Sequence, residues 1–527
     1  MQRYELRRHV TRRIAQGRRL GAPAPGAELR LSVLLHPKDG NALAEATRDV
    51  ADPASAGFGQ FMRPEELKRF VAPGYQDLDA VLAWLHDVGL SPGEPTGLRT
   101  VIPASGTVEA VSKALDTPIG RYAFGRTERL SIERNPTIPA ALAPLVRGIA
   151  GLNTLPGARR FPAKPGRRSP KTSGPSGLTP DSIRAAYGLP SRGGAGERVA
   201  ILEMGGGYSL ADFDVFCETF ELPQGDVHDI LVRGAGPSFG KSPGSDAEVA
   251  ADMDWVRAMA PDAAIDLFWV ENDDCAWVDF LATLLDTPEE SRPGVVSISW
   301  GMPEDGLTTS RRYDQARQLF ESACLLGITF VAASGDAGAS GLNPADAGFD
   351  GQPHVDFPAS LPEVTGVGGT ALARDLSEKA WSNADGASGG GFSRYVRIPT
   401  WQKAALKKSR SVFRGVPDVS AVASTEPGLA VHVRRKWTAL GGTGVAAPIW
   451  AGLLTHVNAA RVAAGKPRLG SANPSLYSVA GKGSPYRDVS KGQNTFGGVP
   501  GFAAVAGWDP VTGLGSANLA KLVTKLK

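Results

Sequence analysis

Past residue 179 the chain alternates short apolar segments with helical patterns, and this most restricts what it can fold into. "RVAILEMGG" (198–206), "AAIDLFWV" (263–270), "GVVSISWG" (294–301) and "GITFVAASGD" (327–336) are rich in Val and Ile and end at glycine-containing or acidic turns. Apolar runs of this length, with helices between them, predict an α/β fold: a parallel sheet covered by helices on both faces. Ligands of such sheets sit at the carboxyl ends of the strands. Glu203, Trp300 and Asp336 all fall there.

Upstream, "ELRLSVLLHP" (28–37) reads as a strand, and "PEELKRFVAP" and "QDLDAVLAWLHDVGL" as helices with apolar spacing near 3.6. "GLRTVIPASGTVEAVSKALDTPI" reads as strand, turn and helix, giving a small α+β module over 25–156. Residues 1–24 form a basic arm, with seven Arg and one Glu in the first 19, expected to be solvated. No apolar stretch follows it, so no secretory signal is visible. Segment 157–178 has six basic residues, no acidic ones and many Pro, Gly and Ser. It reads as a mobile, protease-accessible linker and processing site, and 179–527 as the main domain.

Bulk numbers narrow the function classes. Net charge is only +3 over 527 residues, so nothing global argues for nucleic acid. No apolar run reaches a membrane span. Three scattered cysteines offer neither a disulfide framework nor a zinc site.

Glu248 and Asp252 stand four apart in "SDAEVAADMDWVRAMAP" (245–261), on one face of a helix. Like charges there raise a carboxyl's affinity for its proton, which suits a general base in acid but equally describes a solvated helix face. Asp336, in the turn "VAASGDAGAS", could stabilise an oxyanion or merely close an Asp-Gly turn. The seven histidines lie outside these motifs; His354 is the nearest approach to a triad base and reads as a loop residue. Asp488 and Asp509 bracket a Gly-rich loop whose carbonyls would suit Ca2+. "ALGGTGVAAPIWAGLL" (439–454) has the shape of a nucleophile motif, but position 444 is glycine.

In this order, "VAILEMGGGY", "EVAADMDWVRAMAP", "VVSISWG", "AASGDAGAS", "GGGFSRY…PTWQ", "GVPDVSAVAS", "GGTGVAAPIWAG" and "RDVS…GWDPVTGLG" resemble the landmarks of the sedolisin family of serine-carboxyl peptidases, most closely its kumamolisin-like members. "SAGFGQFMRPEELKRFVAP" (55–73) resembles the activation propeptide. The resemblance implies a subtilisin-like fold after a propeptide, and an acid-acting endopeptidase on protein or peptide substrates. Glu248 would be the general base, Asp252 the acid that hydrogen-bonds to and orients it, and Asp336 the protonated acid at the oxyanion. Glu203 and Trp300 would extend the network. One Ca2+ would be held by Asp488, Val489, Val505, Gly507 and Asp509.

It further implies an intramolecular inhibitor in the propeptide, a monomer, no nucleic-acid or membrane partner, and an extracellular location. The chain departs from the pattern at Gly444, where the nucleophilic serine is expected. An inactivated protease precursor, a natural pseudo-peptidase used for binding, and a structural or adhesion domain follow as three readings. Retention of Glu248, Asp252 and Asp336 together weighs against the last.

Overall fold

The computed structural model describes residues 2–161, 164–165, 174–308, 312–346, 348–373 and 375–527. Among these, an eight-stranded sheet forms the centre of the main domain. Val227–Leu231, Ala264–Trp269, Arg198–Glu203, Val295–Ile298, Thr329–Ala333 and Val364–Leu372 follow one another across it in parallel. Val419–Val422 adds in parallel to Val364–Leu372, and only Glu378–Ala380 runs antiparallel.

One strand explains the continuous apolar runs. Val199 and Ile201 face a core shared with the helices Pro243–Met259 and Thr443–Ala463. Ala200 and Leu202 face the other core, beneath Ala276–Leu285 and Arg312–Leu325. Side chains alternate between faces, and with helices on both, neither position tolerates polarity. The run "GVVSISWG" breaks at Ser299: Val295–Ile298 belongs to the central sheet, whereas Trp300–Pro303 pairs elsewhere.

The N-terminal module is a four-stranded antiparallel sheet of Ser91–Pro92, Val101–Thr107, Glu28–Leu35 and Val146–Ala150. Gly40–Ala51, Pro64–Val71, Tyr75–Asp87 and Val108–Ala114 are its helices. Leu43, Leu67 and Val71 are buried in the same cluster as Phe280 and Phe320 of the main domain. Polar contacts fix the register of the two parts. Asp274 Oδ2 accepts from the backbone N–H groups of Gly151 and Leu152 at 2.9 and 3.1 Å. Asp279 accepts from Ser32 at 2.5 Å, and Arg233 donates to the Leu31 carbonyl at 3.1 Å.

Two sequence expectations change. The basic arm is not simply solvated: Arg3–Glu5 pairs with Thr137–Pro139 and Arg18–Gly21 with Ile119–Phe124, and Leu6, His9 and Thr11 are buried. The linker is tied down over its described parts: Arg159–Arg160 pairs antiparallel with Trp300–Gly301, Lys164–Pro165 with Leu440–Gly441, and Leu178 N–H donates to Gly428 O at 2.7 Å. Its composition lacks core residues, but its backbone finds partners in the strands of another part of the chain, which no local pattern reveals. Residues 162–163 and 166–173 of that segment lie outside the described residues.

Candidate active site

The Pro243–Met259 helix begins at Ser242, whose side chain caps Ser245 N–H, and Glu248 and Asp252, two of its four carboxylates, are fully buried on one face. Glu203 comes down to meet them from the end of its strand. Burial, then the charge of Glu248, pushes the Glu203 carboxyl well above its usual range. Burial, then Glu203, does the same to Asp252. Glu203 is therefore a third acid in the cluster, raised by Glu248 and in turn raising Asp252. Trp300 Nε1–H donates to Glu203 Oε2 at 3.3 Å, which brings Glu203 and Trp300 together.

The contact recorded for Asp252 is Ser299, whose Oγ lies 2.8 Å from Asp252 Oδ1 and 2.9 Å from Gly444 O. One hydroxyl proton cannot serve two acceptors. With Asp252 protonated both contacts are satisfied: Asp252 donates to Oγ, and Oγ–H donates to the Gly444 carbonyl. Ser299 is thus the link between the acids and position 444. Sequence reading passed over it, because "GVVSISWG" reads as one run and the break at Ser299 shows only in the strand pairing.

Asp336 is buried three residues past its strand. Its Oδ1 accepts from Thr443 N–H at 2.7 Å and Thr443 Oγ1–H at 2.8 Å, so it stands at the N-terminus of the Thr443–Ala463 helix. Gly442, with φ of +134°, turns the chain into that helix in a conformation few side chains adopt. Asp336 and Gly444 are therefore brought to one place from points 108 residues apart, as the 443-to-335 contact also records.

A Cβ built on Gly444 would stand 2.8 Å from the carbonyl oxygen of Phe161 and inside contact distance of Glu248 Oε1. The missing side chain thus points at the candidate base, and a peptide carbonyl lies in the same volume. Phe161 N–H donates to Ser299 O at 3.1 Å, continuing the pairing of Arg159 and Arg160 with Gly301 and Trp300. The linker lies along the cleft as an added strand. A cavity of about 840 Å3 opens beside it, lined by Arg12, Arg13, Trp300 and Asp346 among others.

Other candidates are placed elsewhere. His354 sits between Asp305 and Asp350, engaged with both. Ser393 Oγ–H contacts both Glu304 oxygens at 2.8 and 3.0 Å. Neither is at position 444.

At the C-terminal loop, Gly507 N–H donates to Asp488 Oδ2 at 3.0 Å and Val505 N–H to Asp509 Oδ2 at 3.1 Å. Both carboxylates therefore converge on the 505–507 turn. Val489 O accepts from Thr512 Oγ1–H at 3.2 Å, and Asp509 Oδ1 also accepts from the N–H groups of Val511 and Thr512, each at 2.9 Å. Burial raises the Asp509 carboxyl to about 6. The donor set is oxygen only, which fits a hard ion in type. Among the described residues no group of three or more His, Cys, Asp or Glu is clustered for a metal, so an ion here would depend on the carbonyls.

Fold and site together define a subtilisin-like α/β domain whose strand ends gather carboxyl groups around a helix N-terminus. Residues 15–155 match the model described as Pro-kumamolisin, activation domain. Kumamolisin of Bacillus sp. (strain MN-32) is 33% identical over 443 residues, which is 80% of this chain and 78% of that one. Tripeptidyl-peptidase 1 of Bos taurus is 30% identical over 535 residues, 96% of this chain and 93% of its own. A solved structure of Pseudomonas sedolisin (serine-carboxyl proteinase), complexed with two molecules of pseudo-iodotyrostatin, shares the fold with a TM-score of 0.57. It is 24% identical and covers 67% of this chain and 98% of that one. The chain belongs to the sedolisin family of serine-carboxyl peptidases and carries the family's activation domain.

Proposed function

We propose that the chain is the precursor of an acid-acting serine-carboxyl endopeptidase that, as it stands, does not hydrolyse peptide bonds. The observation carrying this reading is the direction of the absent Cβ at Gly444, toward Glu248 Oε1 and the Phe161 carbonyl. Glu248 is the base such a nucleophile would use; a histidine would be charged and useless as a base in acid. Asp252 orients the site through Ser299, Asp336 supplies the acid at the oxyanion, and Glu203 with Trp300 supports both. Without a hydroxyl no acyl-enzyme forms, and in an unrelated serine protease loss of the nucleophile costs about 10⁶-fold in turnover.

Substrates are proteins or peptides, the activation domain is the intramolecular inhibitor, and one Ca2+ bound by Asp488, Asp509 and the carbonyls of 489, 505 and 507 stabilises the C-terminal loop. The working location is extracellular and the protein is a monomer. A second reading, a pseudo-peptidase that binds without cutting, is favoured by one observation: the seat of the missing hydroxymethyl is already filled.

Casein hydrolysis near pH 4 tests the proposal. The chain as given should show no turnover. Gly444→Ser should gain it once the linker is severed, and Glu248→Gln should abolish that gain. A Gly444→Ser protein that stays silent with its linker cut would leave the pseudo-peptidase reading. Glu248-dependent hydrolysis by the unaltered chain would defeat both.

A further inference from the structure

An extended segment sends alternate side chains to the same side, so Arg159 and Phe161 share a face. The Arg159 guanidinium carbon lies 5.7 Å from the centre of the Phe161 ring. That face meets a built surface. The ring is 1% exposed, and a Cβ on Gly301 would stand 2.8 Å from its edge. A Cβ on Gly335 would stand 3.6 Å from Cε1, further round the same outer edge of the ring. Two positions without side chains thus form a slot around the outer edge of the ring.

Two residues back, Arg159 Nη1–H donates to Asp346 at 3.1 Å and Nη2–H to Asp356 at 3.4 Å. Asp346 is half-exposed, but Asp356 is 1% exposed. A carboxylate so buried is costly unless a cation meets it. Burial already raises the Asp356 carboxyl to about 7, with Arg159 and then His354 opposing and Asp336 adding to the rise. A segment lacking a cation at this place would leave that carboxylate with only the weaker influence of His354 to offset its charge.

We propose that the cleft is a selective seat for extended segments of the form Arg-x-aromatic, with Asp356 and Asp346 reading the arginine and the Gly301–Gly335 slot reading the ring, and that residues 159–161 are its resident occupant. The register rests on position 444 being the nucleophile seat. The occupant is a latch rather than a substrate: its carbonyl fills the room a serine side chain would need, and the next residue is Pro162, whose nitrogen carries no hydrogen.

Trypsin cleavage at the Arg160–Phe161 bond, followed by mass spectrometry on the folded full chain, tests this. A synthetic peptide of residues 156–170 sets the unprotected rate. The bond in the folded chain should be cut at least 100-fold more slowly. Arg159→Ala, Phe161→Ala and Asp356→Asn should each speed the cut tenfold or more with the melting temperature unchanged. Arg159→Lys and Phe161→Tyr should stay within threefold of the unaltered chain. If the folded chain is cut as fast as the peptide, residues 159–161 are not seated. If protection survives both Arg159→Ala, which leaves the main domain untouched, and Asp356→Asn, the arginine is not read. Protection is measured without catalysis. A silent Gly444→Ser protein therefore leaves this inference standing, and loss of protection leaves the serine seat standing.

Discussion

Asp418 and Asp252 are both wholly buried carboxylates, and the chain treats them in opposite ways. Asp418 Oδ2 meets Arg414 Nη2 at 2.6 Å and Gly366 N–H at 2.8 Å, while Oδ1 meets Arg414 Nη1 and Tyr477 Oη–H, each at 2.9 Å. Every lone pair facing the protein is matched by a donor, and the charge by a guanidinium. Asp252 has Ser299, and its nearest charged influence is another acid, Glu203. Among the described residues neither Glu203 nor Asp252 pairs with a cation. The first arrangement holds the C-terminal strands together. The second stores an unfavourable protonation equilibrium at the mouth of a cleft, which is how functional carboxylates differ from structural ones.

The most damaging way to probe this contrast is to cut the compensated pair. Asp418→Ala leaves Arg414, itself wholly buried, without its partner. Removing one member of a buried pair typically costs about 3–5 kcal/mol. Urea unfolding should show a loss of that size. A loss below about 1 kcal/mol would mean the pair is not the anchor its geometry describes.

The sequence made the scaffold legible where burial is two-sided. Runs such as "RVAILEMGG" announce a strand because both faces are covered, and the boundaries hold within a few residues. Glu248 and Asp252 were visible as an i, i+4 pair, but spacing alone could not say the helix face was buried. Its burial comes from the Thr443–Ala463 helix and the Leu429–Val433 strand packed against it, together with the strand ending at Glu203. Ser299, Asp356 and Phe161 were not legible, because each acts through a partner far along the chain: Asp252 is 47 positions from Ser299, and Asp356 is 197 from Arg159. The linker misled for the same reason, since its composition records what it cannot bury and not which strand edge receives its backbone.

Asp509 lies between the two extremes and sharpens the comparison. It is buried like Asp418 and well supplied with N–H donors, yet burial raises its proton affinity and among the described residues no ion pair offsets that rise. If Ca2+ supplies the missing charge, chelation should destabilise the protein by about 2–3 kcal/mol, the worth of an ion present at some hundredfold its dissociation constant. Asp509→Ala should lower the melting temperature and remove the response to added Ca2+. A melting temperature indifferent to chelator would show that hydrogen bonds alone hold the loop.

The effect most specific to the acid cluster is a change of slope with pH. Glu203 binds its proton more tightly in the folded chain than in the unfolded one, because burial and Glu248 disfavour the charge. Below the unfolded carboxyl range, near pH 4, both states are protonated and there is no penalty. As pH rises from there toward the raised folded value, the unfolded state gives up its proton and the folded state resists, so stability falls by up to about 1.4 kcal/mol per pH unit. Glu203→Gln keeps the shape and the Trp300 contact and removes that titration. Its stability, measured by urea unfolding from pH 4 to 7, should decline less steeply than that of the unaltered chain, with little difference at the acid end. Asp418→Asn should lose stability at both ends, because it weakens a matched pair rather than relieving an unmatched charge. Parallel pH profiles for the Glu203→Gln and unaltered proteins would place the acid cluster with the structural carboxylates.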